Sequence, residues 1–182
     1  MNFVDPIYSA ADVHNIKRIL KEKDEKYYIM FITGIYLGLR INEILKMRIV
    51  DVKNKTRMVF RQSKTGKECP VAYNRELMAA YKEYCADKDE HEALIPNPHN
   101  KYKPITRQQA WRALRAAANA AKLQDKVGTH TLRKTCGYHY YKQTGDIATL
   151  MIWFNHRDPM DTLRYIGVSK EKVVQAMVNF RI

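Results

Sequence analysis

The sequence predicts a mainly α-helical fold with one small antiparallel β-sheet, that is, an α+β fold in a single domain spanning residues 1–182. Most of the chain places apolar residues at helical spacing behind polar capping residues. One stretch departs from this pattern and carries two short apolar runs around a glycine turn. At 182 residues the chain suits one domain with a single core.

The first third of the chain predicts three helices. Ser9, with Asp12 three residues later, is typical of a capping box, and apolar residues at helical spacing extend the helix to about Lys23. Residues 27–39 are apolar almost all round, which predicts a helix at the centre of the core. A short helix is expected over 41–47.

The sheet is predicted next. Residues 58–60 and 69–71 are strand-like and are separated by the glycine-containing turn 63–67, so we expect an antiparallel hairpin. Further along, residues 87–104 are polar and contain three prolines, which indicates a surface loop.

Helices are predicted for the rest of the chain from a capping residue followed by apolar periodicity. They cover 74–85, 106–121, 131–143, 146–154, a segment opened by Asp158-Pro159, and 169–180. The last of these is amphipathic and ends the chain.

Charge and cysteine content narrow the function. The 32 Lys and Arg residues outnumber the 19 Asp and Glu residues, giving a net charge of +13, which favours a polyanionic partner such as nucleic acid over a membrane surface. Three cysteines without a CxxC pair argue against a disulfide framework or a zinc ribbon. No bilayer-length apolar run and no secretion signal is visible. We therefore expect a cytoplasmic protein.

Several residues have the chemistry that a phosphoryl transfer requires: positive donors, a nucleophile and an acid. Arg40 follows the apolar helix, although for this residue taken alone a structural ion pair with Glu43 is the better explanation. His130 and Arg133 are three residues apart, so they are expected to share one helix face while Leu132 turns inward. An ordinary helix surface is the simpler reading of that pair.

The other candidates lie in the hairpin turn and near the end of the chain. Lys64 lies in the glycine turn, where a solvated lysine is the usual finding. His156 precedes a predicted helix, and Tyr165 follows nine residues later, where half-buried packing is the common role of a tyrosine. Each residue alone is a weak signal, whereas the ordered set is strong.

These segments resemble those of the tyrosine recombinases, or phage integrases, which share a catalytic core with type IB topoisomerases. TGIYLGLRINEIL, SKTGK, HTLRKT and NHRDPMDTLRYIGV resemble, in order, the family's first arginine segment, lysine hairpin, HxxR motif and histidine-to-tyrosine ending. The resemblance covers nearly the whole chain. It implies the fold of that catalytic core and metal-independent, ATP-independent cleavage and rejoining of DNA, with no cofactor. It also implies a nucleoid-associated protein encoded by a bacterium or by a mobile element such as a phage.

The resemblance also implies a role for each candidate. Arg40, Arg133 and His156 would bind the scissile phosphate. Tyr165 would be the nucleophile. Lys64 would protonate the leaving 5′ oxygen and His130 would help to take the tyrosine proton, leaving a 3′-phosphotyrosyl bond. On this interpretation Arg40→Ala, Arg133→Ala and Tyr165→Phe abolish cleavage and leave the fold largely intact.

The chain departs from the family pattern in two places. Phe154-Asn155 stands where the family often has Leu-Gly before the second histidine, which we interpret as tolerated repacking. Nothing in the sequence corresponds to the N-terminal helical clamp domain of most members. The expectation is either an excised catalytic domain or a member that is short like the half-size recombinases that invert promoter segments.

Double-stranded DNA is the expected partner, bound by a homo-oligomer that forms a tetramer in synapsis. The amphipathic segment 169–182 is a candidate for docking on a neighbouring subunit, although packing on its own core fits equally well. Arg112 and Arg115 lie opposite an apolar stripe and are candidate DNA contacts, or a solvated face.

Three rival functions remain at this point. A type IB topoisomerase would use the same pocket, and a DNA-binding regulator would have lost the chemistry. A metalloenzyme using His130, His139 and His156 is the weakest, because no pair of them shows zinc-ligand spacing.

Overall fold

The computed structural model describes residues 4–61, 68–124, 126–168 and 177–181. Within them the chain is mainly helical with two small antiparallel sheets, so the predicted fold class is confirmed and the predicted count of one sheet is wrong. The helices are α1 (Ala10–Lys23), α2 (Glu25–Leu37), α3 (Ile41–Ile44), α4 (Arg75–Tyr84), α5 (Arg107–Ala120), α6 (Thr131–Thr144), α7 (Ile147–Phe154) and α8 (Pro159–Tyr165), and the strands are β1 (Arg57–Arg61), β2 (Glu68–Ala72), β3 (Pro96–Asn97) and β4 (Asn100–Pro104).

The predicted capping residues start their helices. The Ser9 hydroxyl accepts a hydrogen bond from the backbone N–H of Asp12 at 3.3 Å, and Thr106 and Gln109 form the full reciprocal capping box of α5. Helix α2 ends at Gly38, whose φ of 61° is the left-handed conformation that glycine adopts most easily. Most residues of α2 are buried, as the apolar run predicts.

Helix α6 lies at the centre of the molecule. It packs against α2 so closely that a Cβ added to Gly34 would stand 2.6 Å from Cδ1 of Leu132. Its first two turns are buried all round, from Thr131 to Tyr138, including Arg133 and Lys134. Arg133 therefore does not lie on an ordinary helix surface, because α6 has neighbours on every side.

Helix α3 is shorter than the predicted 41–47. The backbone leaves the helix after Ile44 because it pairs with another segment: the carbonyl of Met47 accepts from Leu94 at 2.9 Å, and the N–H of Ile49 donates to Glu92 at 3.0 Å. A short 3₁₀ turn, Ile49–Asp51, follows.

The segment 87–104 is not a simple loop. It contains the β3–β4 hairpin, and Leu94 and Ile95 just before it are fully buried. The prolines misled the prediction, since Pro96 and Pro104 occupy the open end of the hairpin, where a missing N–H costs no ladder hydrogen bond. Three buried apolar residues within a polar stretch were too few to reveal a strand.

The predicted hairpin of strands β1 and β2 is confirmed, with Met58 opposite Val71 and Val59 opposite Pro70. Its turn, residues 62–67, lies outside the described residues, and so does the candidate Lys64. The final predicted helix, 169–180, also falls largely outside them. Within residues 177–181, Met177, Val178 and Phe180 are each more than 70% exposed, at 72%, 73% and 72%.

The hydrophobic core consists of two clusters of buried residues. The larger joins α1 to α5 with the first turns of α6. The smaller consists of Tyr138, Leu150, Phe154 and Ile166 and lies between α6, α7 and α8. Among the described helices, none has the length and apolar character needed to span a bilayer.

Candidate active site

Arg133 is the most deeply placed of the candidate residues, with 2% of its surface exposed. Its guanidinium donates to the carbonyl of Gly38 at 2.5 Å and to the carbonyl of Phe154 at 3.1 Å. It also lies over the Phe154 ring, 4.1 Å from the centroid. Burial lowers the pKa of this guanidinium, which stays charged because its ordinary value is so high.

Arg40 enters the site from the turn between α2 and α3. Its guanidinium pairs with Glu43 at 3.1 Å, and its backbone N–H donates to the other carboxylate oxygen of Glu43 at 2.7 Å. The ion pair considered from the sequence is thus present. The Arg40 side chain remains 31% exposed while that of Glu43 is 5% exposed, so Arg40 is held at the edge of the site with access to solvent.

Tyr165 ends α8 and packs edge-on against two rings. Its ring centroid lies 5.3 Å from that of His156 and 5.9 Å from that of Phe154. Burial raises the pKa of Tyr165, and the positive charges of Arg133 and Arg40 oppose that rise. The phenol therefore keeps its proton at neutral pH and needs a base before it can attack.

His156 is oriented by a hydrogen bond to a neighbouring residue of α8. Its Nδ1 lies 3.0 Å from the hydroxyl of Thr162, which itself donates to the carbonyl of Asp158 at 3.1 Å. Because the hydroxyl proton is used on Asp158, Nδ1 carries the proton of the neutral imidazole and Nε2 is the acceptor. Burial, followed by the charges of Arg133 and Arg40, lowers the pKa of His156.

His130 occupies the N-cap position of α6, one turn from Arg133, and its side chain makes no capping bond. Partial removal from solvent lowers its pKa, with further lowering by the charges of Arg107, Arg40 and Lys134. The imidazole is thus biased toward its neutral form, which accepts a proton.

The fold brings five of the six candidates together. The charges of Arg40 and Arg133 act on His130, on His156 and on Tyr165 alike, although α2–α3, α6 and α8 are far apart in the sequence. The sixth, Lys64, lies outside the described residues. The arrangement places the Tyr165 phenol against the imidazole of His156 and under the charges of Arg133 and Arg40, which suits transfer of an anionic phosphoryl group.

Three residues of the site were missed by the sequence analysis. Phe154 was interpreted as repacking, yet its ring and its carbonyl both hold Arg133. Thr162 orients His156, and Lys134 stands over the ring of Tyr165 at 5.3 Å from the centroid. Of these three residues only Lys134 had a signal in the sequence, because it directly follows the HxxR motif. The other two roles depend on tertiary contacts.

The candidate DNA contacts Arg112 and Arg115 are exposed on α5, opposite its buried stripe. Arg115 lies 5.8 Å from the ring of Trp111, which is itself 43% exposed. In contrast, His139 of the metalloenzyme alternative is bound to the carbonyl of Ile7 at 2.9 Å. No group of three potential metal ligands occurs among the described residues.

Comparison with known proteins identifies the family. The sequence profile of the phage integrase family matches residues 9–172. The chain belongs to the phage integrase family. Within it, the chain is 42% identical over 171 residues to the probable integrase/recombinase YoeC of Bacillus subtilis (strain 168), covering 94% of this chain and 93% of YoeC.

Solved structures of the same family share the fold. The crystal structure of the XerA recombinase superposes with a TM-score of 0.77 at 20% identity, covering 100% of this chain and 67% of XerA. The XerH site-specific recombinase, bound to its palindromic difH substrate in a post-cleavage complex, gives a TM-score of 0.74 at 16% identity, over 97% of this chain and 53% of XerH.

Family membership confirms the resemblance given by the four sequence segments. The chain is a tyrosine recombinase of the integrase type, an enzyme that breaks and rejoins DNA. The topoisomerase alternative receives no support from these relatives.

Proposed function

We propose that the chain cleaves one strand of duplex DNA by transferring the scissile phosphate to Oη of Tyr165. The O5′–P bond breaks as the O–P bond to tyrosine forms, which leaves a 3′-phosphotyrosyl link and a free 5′ hydroxyl. Attack by a 5′ hydroxyl on that link restores the DNA and the phenol. The observation that carries the proposal is the packing of Tyr165 against His156 under the charges of Arg133 and Arg40.

The two arginines are proposed to hold the phosphate and to stabilise the charge of its transition state. A guanidinium has more N–H donors than the hydrogen bonds of Arg133 to the carbonyls of Gly38 and Phe154 use, so donors remain for a phosphate oxygen. Arg40 is accessible enough to turn part of its donor set from Glu43 to DNA. Cations fixed before the substrate arrives lower the barrier without reorganisation at the moment of reaction.

The proton movements follow from the pKa directions. Tyr165 is protonated before attack, and His130, biased to its neutral form, is the proposed acceptor of that proton. Lys64 is the proposed donor to the leaving 5′ oxygen. His156 is proposed to bind the phosphate, whose negative charge raises the pKa of the imidazole so that Nε2 becomes a donor.

Several features support duplex DNA as the partner. The net charge of +13 suits a polyanion, and the exposed Arg112 and Arg115 of α5 are proposed to contact phosphates or a groove. The related XerH is bound to DNA in its crystal structure. We place the enzyme at the nucleoid of a bacterial cytoplasm, encoded by the chromosome or by a mobile element.

The active assembly is proposed to be a homo-oligomer on DNA, a tetramer when two sites are paired. Segment 169–182 is the proposed docking element, and the exposed apolar side chains of Met177, Val178 and Phe180 suit a partner surface. Residues 1–182 are proposed to act as a single catalytic domain.

The test is a nicked suicide substrate, which traps the covalent product because the short strand beyond the cut diffuses away. A pool of DNA duplexes from the ends of the genetic element that encodes the protein supplies candidate cleavage sites. A denaturing gel then resolves covalent protein–DNA adducts. The proposal expects an adduct with the parent protein and none with Tyr165→Phe. Equal adduct from both proteins, or DNA binding without any adduct at a site known to be bound, would contradict it.

A further inference from the structure

We infer that Lys134 is a positioning residue for Tyr165, and that it connects the N-terminal segment of the chain to the nucleophile. The inference rests on the proposed role of Tyr165 as the nucleophile. It extends the site by one side chain, which lies directly after Arg133 but points toward a different neighbour.

Lys134 is an unusual lysine because it is almost fully buried, with 5% of its surface exposed. Its Nζ donates to the carbonyl of Val4 at 2.7 Å and stands 5.3 Å from the centroid of the Tyr165 ring. Burying an ammonium group is costly, so partners that hold it in one place are needed. The carbonyl fixes the cation, and the cation attracts the face of the aromatic ring.

Residues 4–8, here called the N-terminal strap, are fixed to α6 by two further side chains. The N–H of Ile7 donates to the hydroxyl of Thr135 at 2.9 Å, and Nε2 of His139 lies 2.9 Å from the carbonyl of Ile7. Ile7 is fully buried. These two hydrogen bonds hold the strap to the helix that carries Arg133.

The strap also touches the chain just after Tyr165. A Cβ added to Gly167 would stand 2.6 Å from Oη of Tyr8 and 3.2 Å from Pro6, and Gly167 has a φ of +79°. The backbone following the nucleophile thus passes directly against the strap. Lys134 lies where the strap, α6 and the ring of Tyr165 meet, so loss of its cation is expected to leave the ring less well fixed.

A tyrosine that must align with a phosphorus atom loses rate steeply when its ring can swing. Lys134→Met removes the cation and nearly preserves the shape of the side chain. We expect its single-turnover rate of adduct formation at saturating DNA to fall about tenfold or more, with DNA affinity within about twofold of the parent. A merely structural lysine would change stability and not the rate of the bound complex.

The matched control is Thr135→Val, which removes a bond from α6 to the strap without approaching Tyr165. Its adduct rate is expected to stay within about threefold of the parent. An unchanged rate in Lys134→Met, or an equal loss in both variants, overturns the inference. If Lys134→Met does not fold, the comparison is made between Lys134→Arg, which keeps a cation, and Lys134→Gln, and equal rates in that pair overturn it.

A substrate with sulfur in place of the leaving 5′ oxygen distinguishes positioning from proton donation, because a thiolate leaves without an acid. The defect of Lys134→Met is expected to persist with this substrate, and its disappearance would make Lys134 the leaving-group acid. Parent and Tyr165→Phe are assayed in parallel. Absence of an adduct that depends on Tyr165 overturns the proposed function, whereas a normal rate in Lys134→Met overturns this inference alone.

Discussion

The first turns of α6 and the turn between α2 and α3 each supply an arginine to the Tyr165 site, and they hold it in different ways. Arg133 is buried, bonded to two backbone carbonyls and stacked on Phe154. Arg40 is 31% exposed at its side chain and is held by the carboxylate of Glu43. The position of Arg133 is therefore set by packing of the whole fold, and that of Arg40 by a local ion pair.

Because of this difference, the loss of Arg133 and the loss of Arg40 should affect folding and catalysis to different degrees. Removing Arg133 leaves buried carbonyls of two different segments without their donor, so structure and chemistry fail together. Removing Arg40 leaves Glu43 bound to the backbone N–H at position 40, so the loss of chemistry should exceed the loss of stability. The sequence-based expectation that both changes spare the fold stays a prediction, and we expect Arg40→Ala to come nearer to it than Arg133→Ala.

The largest effect is expected for Arg133→Ala. Adduct formation should fall by about a thousandfold or more, because a cation fixed at the phosphate is lost. The free energy of unfolding should fall by about 2–4 kcal/mol, since the carbonyls of Gly38 and Phe154 stay buried without a partner. The suicide-substrate assay and urea denaturation measure the two effects. Parental stability in this variant would show that water replaces the guanidinium at no cost.

Arg40→Ala comes next. Adduct formation should fall by about a hundredfold or more, while the free energy of unfolding should fall less than in Arg133→Ala, because the buried Glu43 carboxylate keeps its bond from the backbone N–H. The matched control is Glu43→Gln, which keeps the shape of the partner and Arg40 itself, and it should cleave far better than Arg40→Ala. A loss of stability as large as that of Arg133→Ala would remove the contrast between the two arginines.

Thr162→Val tests a smaller contribution from α8. Valine keeps the buried volume of Thr162 and removes the hydroxyl that orients His156 through Nδ1. We expect adduct formation to slow by about tenfold, as for the loss of a residue that supports a catalytic imidazole. Gel-shift affinity for the same DNA should be unchanged. If the adduct rate is also unchanged, His156 is oriented by its ring contacts alone.

The smallest effect concerns pH. Burial and the two arginines lower the pKa of His156 in the folded protein, so the unfolded chain binds more protons as the pH falls through the ordinary value of 6.5. The free energy of unfolding should thus be level above that pH and decrease below it. Urea denaturation from pH 5 to pH 8 should show a weaker decrease in His156→Gln, and identical profiles would contradict the pKa direction.

The sequence predicts those features that depend on local chemistry. Caps such as Ser9 and Thr106 and the β1–β2 hairpin follow from neighbouring residues and were found where expected. The membership in the family was likewise visible, because the catalytic candidates occur in four short segments whose order is itself a signal.

Other features depend on contacts between distant segments and leave no local pattern. Burial of Arg133 follows from α6 having neighbours on all sides, and a helix of mixed polarity gives no warning of that. The hairpin within 87–104 depends on backbone bonds to Met47 and Ile49. The role of Phe154 likewise requires knowledge of which cation stacks on it.

The central claim is that the hydroxyl of Tyr165 takes up the scissile phosphate. The most direct test is mass spectrometry of the trapped adduct after nuclease and protease digestion, which identifies the modified tyrosine. The account predicts a nucleotide joined through its 3′ phosphate to the peptide containing Tyr165. A nucleotide on another tyrosine, such as Tyr140 or Tyr141, or a link through a 5′ phosphate, would contradict it.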